Sequence, residues 1–515
     1  MSAAPHDPTA APSLTRWLII TALAALALRL WIAAALPITG DEAFFYWWGV
    51  YPDWGYYDHP PMVGWLIWLM RHLFGEAAWA IRLPVVLLPL ALGGLLWWAF
   101  KPLDRERAAW GVLLFWLAPI NWLNTLITTD TPLIFWSVLS VALLLRAERR
   151  PELDRHSALL YALSGLALGC AFLSKYFSVV LGLAYLVYFA LYRRERWPGL
   201  VLLVLCALPG PAINLWWNMG HGWANIMFNA INRNQDAQFE LRKPLTYLAM
   251  LAYLLTPAVL WLGAKHWRVL METARQQRLV ATLVVVPLLF FTLLSGKKVV
   301  GLHWVLAFYP FVFVLLAFAL PRVTLRRCAQ GLAAFTVLHA VGVLAIAFTD
   351  LDQWQDKPRY YSFVRSFRTA ELLAQVRTPD TVLMADGYAP AAAYGYTIGR
   401  YVPVFGSGKF HARQDDLLVD YADYEGRNVR ILVSDGEAPP LDGYRPYFDS
   451  VQHLSFVQNG VTFHVVEGRN FNYERYRQGV LRDVFERYYD IPQWLPMTGC
   501  PFCVRYCGQL RCPRP

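Results

Sequence analysis

Residues 39–62 read TGDEAFFYWWGVYPDWGYYDHPPM. The stretch follows directly on an apolar run near 17–37 that is long enough to cross a bilayer. The carboxylate pair Asp41 and Glu42 therefore stands where the chain leaves the membrane. An aromatic belt comes next, then a second acid beside an imidazole, Asp58 and His59, and then Pro60 and Pro61. Ionisable groups at a bilayer boundary are costly to hold and point to function. Tyrosine and tryptophan belong at that depth. A membrane enzyme working at the lipid–water interface needs this combination.

Further apolar segments lie near 79–100, 108–127, 131–147, 157–174, 176–192, 199–217, 244–264, 280–295, 303–320 and 330–349. With the first, that makes eleven expected spans. The shorter apolar stretch 62–74 ends in Arg71 and His72 and reads as a helix lying in the interface. Of the 515 residues, 57% are hydrophobic and 16% charged, too apolar for one soluble core. The net charge of +10 would suggest nucleic acid in a soluble protein. Here the cations fall between apolar runs, and no nucleic-acid motif is present.

The charged loops alternate. Basic clusters occur at Lys101/Arg105/Arg107, Arg146/Arg149/Arg150/Arg155, Arg193/Arg194/Arg196, Lys265/Arg268/Arg275/Arg278 and Arg322/Arg326/Arg327. By the positive-inside rule these face the cytoplasm, with the N-terminus. The loops 39–78, 218–243 and 296–303, the turn at Asp130 and the C-terminal region are then outside. The first span is expected to be retained, because its core is longer than the roughly 7–15 residues of a signal peptide. Arg29 within it reads either as a snorkelling arginine on a packed helix face or as a partner for a buried acid or lipid phosphate.

From Asp350 the pattern changes to short apolar strands at 381–386, 401–406, 429–436 and 461–468, after a helical stretch at 361–375. The expected organisation is a membrane domain over 1–349 that includes the outer loop 39–78. An outer α/β domain follows over 350–490, and a cysteine-rich tail over 491–515. GSGK at 406–409 lacks the rest of a phosphate-loop pattern and reads as a turn. The tail holds Cys500, Cys503, Cys507 and Cys512. In an oxidising compartment these favour disulfides; a structural metal or a loose tail remains open.

Several motifs together resemble a known family: the 41–62 string, TTDTP at 128–132, LSKY at 173–176, NMGHGWANIMFNAINR at 218–233 and GKKVVGLHW at 296–304. In this order they look like the bacterial dolichyl-phosphate-mannose–protein mannosyltransferase superfamily. More narrowly, they resemble the branch with the lipid A aminoarabinose transferase and the rhizobial galacturonosyltransferases. The resemblance covers about 17–349. It implies a polytopic α-helical membrane protein of the GT-C type with an outer α/β domain, in the bacterial inner membrane. The aminoarabinose transferase has more spans than the eleven counted here, and the cysteine tail lies outside the family pattern.

The implied reaction moves a sugar from a polyprenyl-phosphate donor, with inversion, to an envelope acceptor such as lipid A or the lipopolysaccharide core. It uses no nucleotide sugar. The family's chemistry is not generally metal-dependent, so no cofactor and no catalytic metal are expected. Two alternatives stay open: a protein Ser/Thr acceptor, or a lipid-linked sugar transporter.

The resemblance places Asp41 at the family's catalytic acid, with Glu42 beside it and Asp130 at the second acidic motif. Asp41 would act as general base on an acceptor hydroxyl, or would orient a phosphate acceptor or stabilise the cationic sugar. Against this, Asp41 and Glu42 could simply cap the next helix, and Asp130 could cap its own, with Pro132 in the first turn. Lys175, Lys297, Lys298, His303, Arg82 and Arg233 are the cations expected at the donor phosphate. Lys175 could equally snorkel, and His303 could be a hydrogen-bonded structural residue. Tyr57, Asp58, His59 and His221 are expected to shape the donor and acceptor site.

Overall fold

The computed structural model describes residues 10–232, 238–408, 410–434 and 436–509. Among the described residues, eight helices are long and apolar enough to cross a membrane: Leu14–Ala35, Ala78–Phe100, Asp130–Glu148, Arg155–Ser174, Arg194–Gly220, Arg242–Lys265, Arg278–Ser295 and Arg322–Ala347. The chain is an integral membrane protein. Each of the eight overlaps an expected segment. The other three of the eleven form shorter helices.

Helix α5 (Arg105–Trp116) stops after 12 residues, and a short helix over Ile120–Leu123 follows Pro119. The expected span at 176–192 is a helix of 15 residues, Ser178–Tyr192. The one at 303–320 splits into a 3₁₀ turn, Leu302–Val305, and an 11-residue helix, Tyr309–Ala319, with Pro310 in its first turn. Pro119 and Pro310 stand at the breaks in 108–127 and 303–320, so hydropathy alone overestimated the helix lengths there.

The chain divides into two compact units. One comprises Met1–Leu36, Glu76–Ala212 and Ala237–Ile346. Within it, helix α1 (Ala10–Ala35) carries Arg29, which is 2% exposed. The side chain neither snorkels nor meets an acid. Its Nε donates to Val86 O at 3.0 Å, its Nη1 to Asn121 O at 2.9 Å, and its Nη2 to Val85 O. The reason lies in α4 (Ala78–Phe100), which contains Pro89. A proline has no N–H for the carbonyl four residues earlier, here Val85. Arg29 supplies that donor, and also serves a carbonyl freed where the chain breaks after α5. Replacing Arg29 with Leu is expected to strand these acceptors and cost at least about 1–3 kcal/mol. Thermal unfolding in detergent would read this, and an unchanged melting temperature would refute the capping role.

The second unit comprises Pro37–Gly75, Ile213–Asp236 and Ala347–Pro515. The structure thus groups two outer loops with the C-terminal region, where the sequence pattern had left them with the membrane domain. Helix α2 is Gly40–Val50, and α3, Met62–Phe74, has the bounds of the expected interfacial segment.

A four-stranded sheet is made of β1 (Thr381–Ala385), β2 (Asn428–Leu432), β3 (Phe448–Gln458) and β4 (Val461–Phe471), in the order β1-β2-β4-β3. β1 and β2 run parallel; the other pairs are antiparallel. The period of two sends Leu383, Ala385, Phe463 and Val465 into one apolar cluster and Val382, Met384 and Val466 into the other. Of the expected strands, 401–406 makes only the bridge Val404 to Ala385. The helical stretch 361–375 is two helices, Tyr360–Phe367 and Thr369–Val376. β3 was missed because its residues alternate too weakly, with six of eleven polar.

The tail is not loose as far as Gln509. Cys500, Phe502, Cys503 and Tyr506 are buried in the same cluster as Trp223 and Met227. Cys500 and Cys503 form a disulfide, and Cys507 is disulfide-bonded as well. Cys512 lies outside the described residues. Cys170, Cys206 and Cys328 are free thiols.

Candidate active site

Asp41 and Glu42 open α2, and the structure separates their tasks. Glu42 is fully buried and closes a capping box with Thr39. Thr39 Oγ1 and N donate to its Oε2 at 3.0 and 3.1 Å, and Glu42 N donates back to Thr39 Oγ1 at 3.3 Å. The capping alternative therefore falls on Glu42, which was expected to be catalytic. Asp41 is exposed, one residue into the helix. Its Oδ1 accepts a hydrogen bond from the Tyr388 hydroxyl at 3.0 Å.

Tyr388 belongs to the helix Tyr388–Ile398, which packs closely on α2. A Cβ at Gly40 would stand 2.6 Å from Ala389 Cβ, so only glycine allows this approach. Trp47 Nε1 donates to Ala392 O at 3.2 Å, and Tyr46 meets Tyr396 edge to face.

Asp58 lies beyond the aromatic belt and is buried. Its Oδ2 is 2.9 Å from His411 Nδ1 and 3.3 Å from His59 Nδ1. Burial alone would raise this carboxyl. The two imidazoles outweigh it and hold the group well below the usual carboxylate range. Its Oδ1 is buried without a hydrogen-bond partner among the described residues. The backbone around it is pinned: Asn225 Nδ2 donates to Tyr56 O and Asn229 Nδ2 to Asp58 O, both at 2.9 Å. Tyr57 N donates to Gln414 Oε1 at 2.9 Å. The Tyr57 ring packs on Phe228, and its phenol is pushed well above the ordinary range, chiefly by burial.

His411 lies between Tyr388 and Phe228, at ring distances of 4.9 and 5.3 Å. A continuous series of side chains thus runs from Asp41 through Tyr388 and His411 to Asp58 and His59. His221 lies outside this series. It stacks on Trp217 at 4.1 Å, with Nε2 3.8 Å from Asp53 Oδ2.

In the other unit, Asp130 opens the helix Asp130–Glu148, yet no side chain caps that helix at Thr129. The carboxylate instead receives Lys175 Nζ on both oxygens at 2.9 Å. Both side chains are about nine-tenths buried, at 10% and 8% exposure, so Lys175 does not snorkel. His303 Nε2 stands 3.9 Å from Asp130 Oδ2. Lys297 and Lys298 follow the helix Arg278–Ser295, Lys297 exposed and Lys298 half-buried.

Arg82 does not stand open for a phosphate. It is fully buried, and its Nη1 donates to Ala33 O at 2.9 Å and Leu36 O at 2.8 Å. It closes the C-terminal end of α1, where carbonyls lack helical partners. Arg233 lies outside the described residues. Among those residues no three His, Cys, Asp or Glu side chains are grouped to hold a metal ion.

Sequence reasoning missed Tyr388, His411, Asn225, Asn229 and Gln414. The two asparagines lie inside the quoted 218–233 motif. Tyr388 and His411 are 347 and 353 positions from their partners, and no local signal links them.

With this geometry, the similarities to known proteins fall into place. Residues 58–217 match the model of the family described as dolichyl-phosphate-mannose-protein mannosyltransferase. The structure of ArnT from Cupriavidus metallidurans in the apo state superposes with a TM-score of 0.62. It covers 88% of this chain and 98% of that one, at 15% identity. The same protein bound to undecaprenyl phosphate gives 0.64 over the same shares, also at 15% identity.

The chain has the GT-C fold.

A curated relative is the lipid A galacturonosyltransferase RgtD of Rhizobium johnstonii, 30% identical over 232 residues. That alignment takes in 41% of this chain and 48% of RgtD. The chain thus spans about half the length of the curated relative it matches.

Proposed function

We propose that this GT-C protein is an inverting glycosyltransferase. It takes a sugar from a polyprenyl-phosphate donor and passes it to lipid A or another envelope glycolipid, on the outer face of the inner membrane. The observation that carries this reading is the division of labour at α2. Glu42 closes the helix, so Asp41 is left exposed with its carboxylate held by Tyr388. An acid so placed is available to a substrate. On a hydroxyl acceptor it takes the proton as the glycosidic bond forms. On a phosphate acceptor it orients the nucleophile or stabilises positive charge on the sugar.

In this reading the unpartnered Asp58 Oδ1 accepts from a sugar hydroxyl, since a buried carboxylate oxygen without a donor is costly. Lys297, Lys298 and His303 attract the leaving phosphate, and Lys175 acts through Asp130. Glu42 and Arg82 are structural. The alternating basic loops orient the N-terminus to the cytoplasm and the C-terminal domain to the periplasm. Support for a glycolipid acceptor comes from the likeness to RgtD and ArnT.

The test is a mass-spectrometric comparison of envelope glycolipids from a deletion strain and from the same strain complemented with the wild-type gene. One sugar should be missing in the deletion and restored by complementation. An unchanged glycolipid profile would refute the glycolipid acceptor and leave the protein acceptor as the reading to pursue by glycoproteomics.

A further inference from the structure

Asp41 has no part in the cap of α2, so the helix does not fix its side chain. The hydrogen bond that does so comes from the C-terminal domain. Tyr388 opens its helix with its ring edge-on to Phe44 at 5.1 Å and 72°. The ring is backed by His411 at 4.9 Å. Its hydroxyl reaches Asp41 Oδ1 at 3.0 Å. The two helices that carry this contact are locked by the Gly40–Ala389 approach and by Trp47, so the hydroxyl is delivered from a rigid base. Burial, with the charges of Asp41 and Asp58, pushes the Tyr388 phenol above its ordinary range. It therefore stays protonated and donates throughout the neutral range. Among the described residues, Asp41 and Asp58 act on the Tyr388 phenol and His411 backs its ring, with His59 against Asp58 and Glu42 next to Asp41 in α2.

We propose that Tyr388 is a positioning residue for Asp41, holding one carboxylate oxygen so that the other faces the acceptor. The C-terminal domain would then complete the catalytic group. This rests on the reading of Asp41 as catalytic.

The experiment uses full-length protein in detergent and, as substrate, the total lipid extract of the deletion strain. That extract contains both the unused donor and the unmodified acceptor, whatever their identity. The mass-shifted glycolipid is followed from pH 4.5 to 8 for wild type, Tyr388→Phe, Asp41→Asn and the double variant. Tyr388→Phe keeps the ring and its packing. It is expected to lower kcat about 10–100-fold at unchanged apparent KM, as misplacement of a reacting group does. Adding Tyr388→Phe to Asp41→Asn should cost little more.

Wild-type kinetics in Tyr388→Phe, or a loss that adds in full to that of Asp41→Asn, would overturn the proposal while Asp41 stands. Full activity in Asp41→Asn would overturn the reading of Asp41 and this proposal with it. No conversion by the wild type would overturn the glycosyltransferase reading itself.

Discussion

Asp41→Asn is expected to lower turnover by about 10²–10⁴-fold, the usual contribution of a positioned acid or base. Stability should hardly change. The side chain is exposed, and the capping box closes through Thr39 and Glu42 without it. Asparagine also keeps the shape and one carbonyl oxygen for the Tyr388 hydroxyl. What it removes is the negative charge and the basic lone pair. The fall should appear in kcat and kcat/KM alike, with binding of the donor lipid preserved. Steady-state kinetics beside a thermal melt would read both. A variant that melts as the wild type but turns over within threefold of it would remove Asp41 from the chemistry. Glu42→Ala should behave in the opposite way, losing about 0.5–2 kcal/mol of stability with the cap.

The second large effect is expected at Asp130 and Lys175. Their side chains are about nine-tenths buried and joined through both carboxylate oxygens. Removing one partner leaves an uncompensated charge, so Lys175→Met alone should destabilise by about 3–5 kcal/mol. The double variant Asp130→Asn with Lys175→Met removes both charges and should recover most of that loss, because a buried pair is often replaceable by neutral groups. Activity separates the two roles of the pair. If the charges serve the chemistry, the double variant is folded yet inactive. A stable and active double variant would reduce the pair to a structural device.

Much of this architecture was legible in the sequence, and the limits of legibility are specific. Hydropathy located the eight long helices among the described residues, and the short helix Met62–Phe74 to the residue. At 108–127 and 303–320 the helices are shorter than the apolar runs, and prolines stand where the runs break. Arg29 was conspicuous as a charge in a span. Its task was not readable, because the orphaned Val85 carbonyl it serves is created by Pro89 on another helix. Arg82 stands out in the sequence as a cation near the outer boundary, and only the structure places its Nη1 on the carbonyls at the end of α1.

The sequence by itself determined the class of protein, the alternation of its loops and the positions of Asp41, Asp58, Asp130 and Lys175. These follow from local chemistry: the length of apolar runs, the cost of charge at a bilayer boundary and the order of short motifs. Only the tertiary structure decided which of two adjacent acids caps a helix and which is left exposed. It alone brought Tyr388 to Asp41 and His411 to Asp58 across 347 and 353 residues. Those pairings depend on helix packing set by Gly40, Ala389 and Trp47, and contacts between distant segments leave no periodicity in the chain.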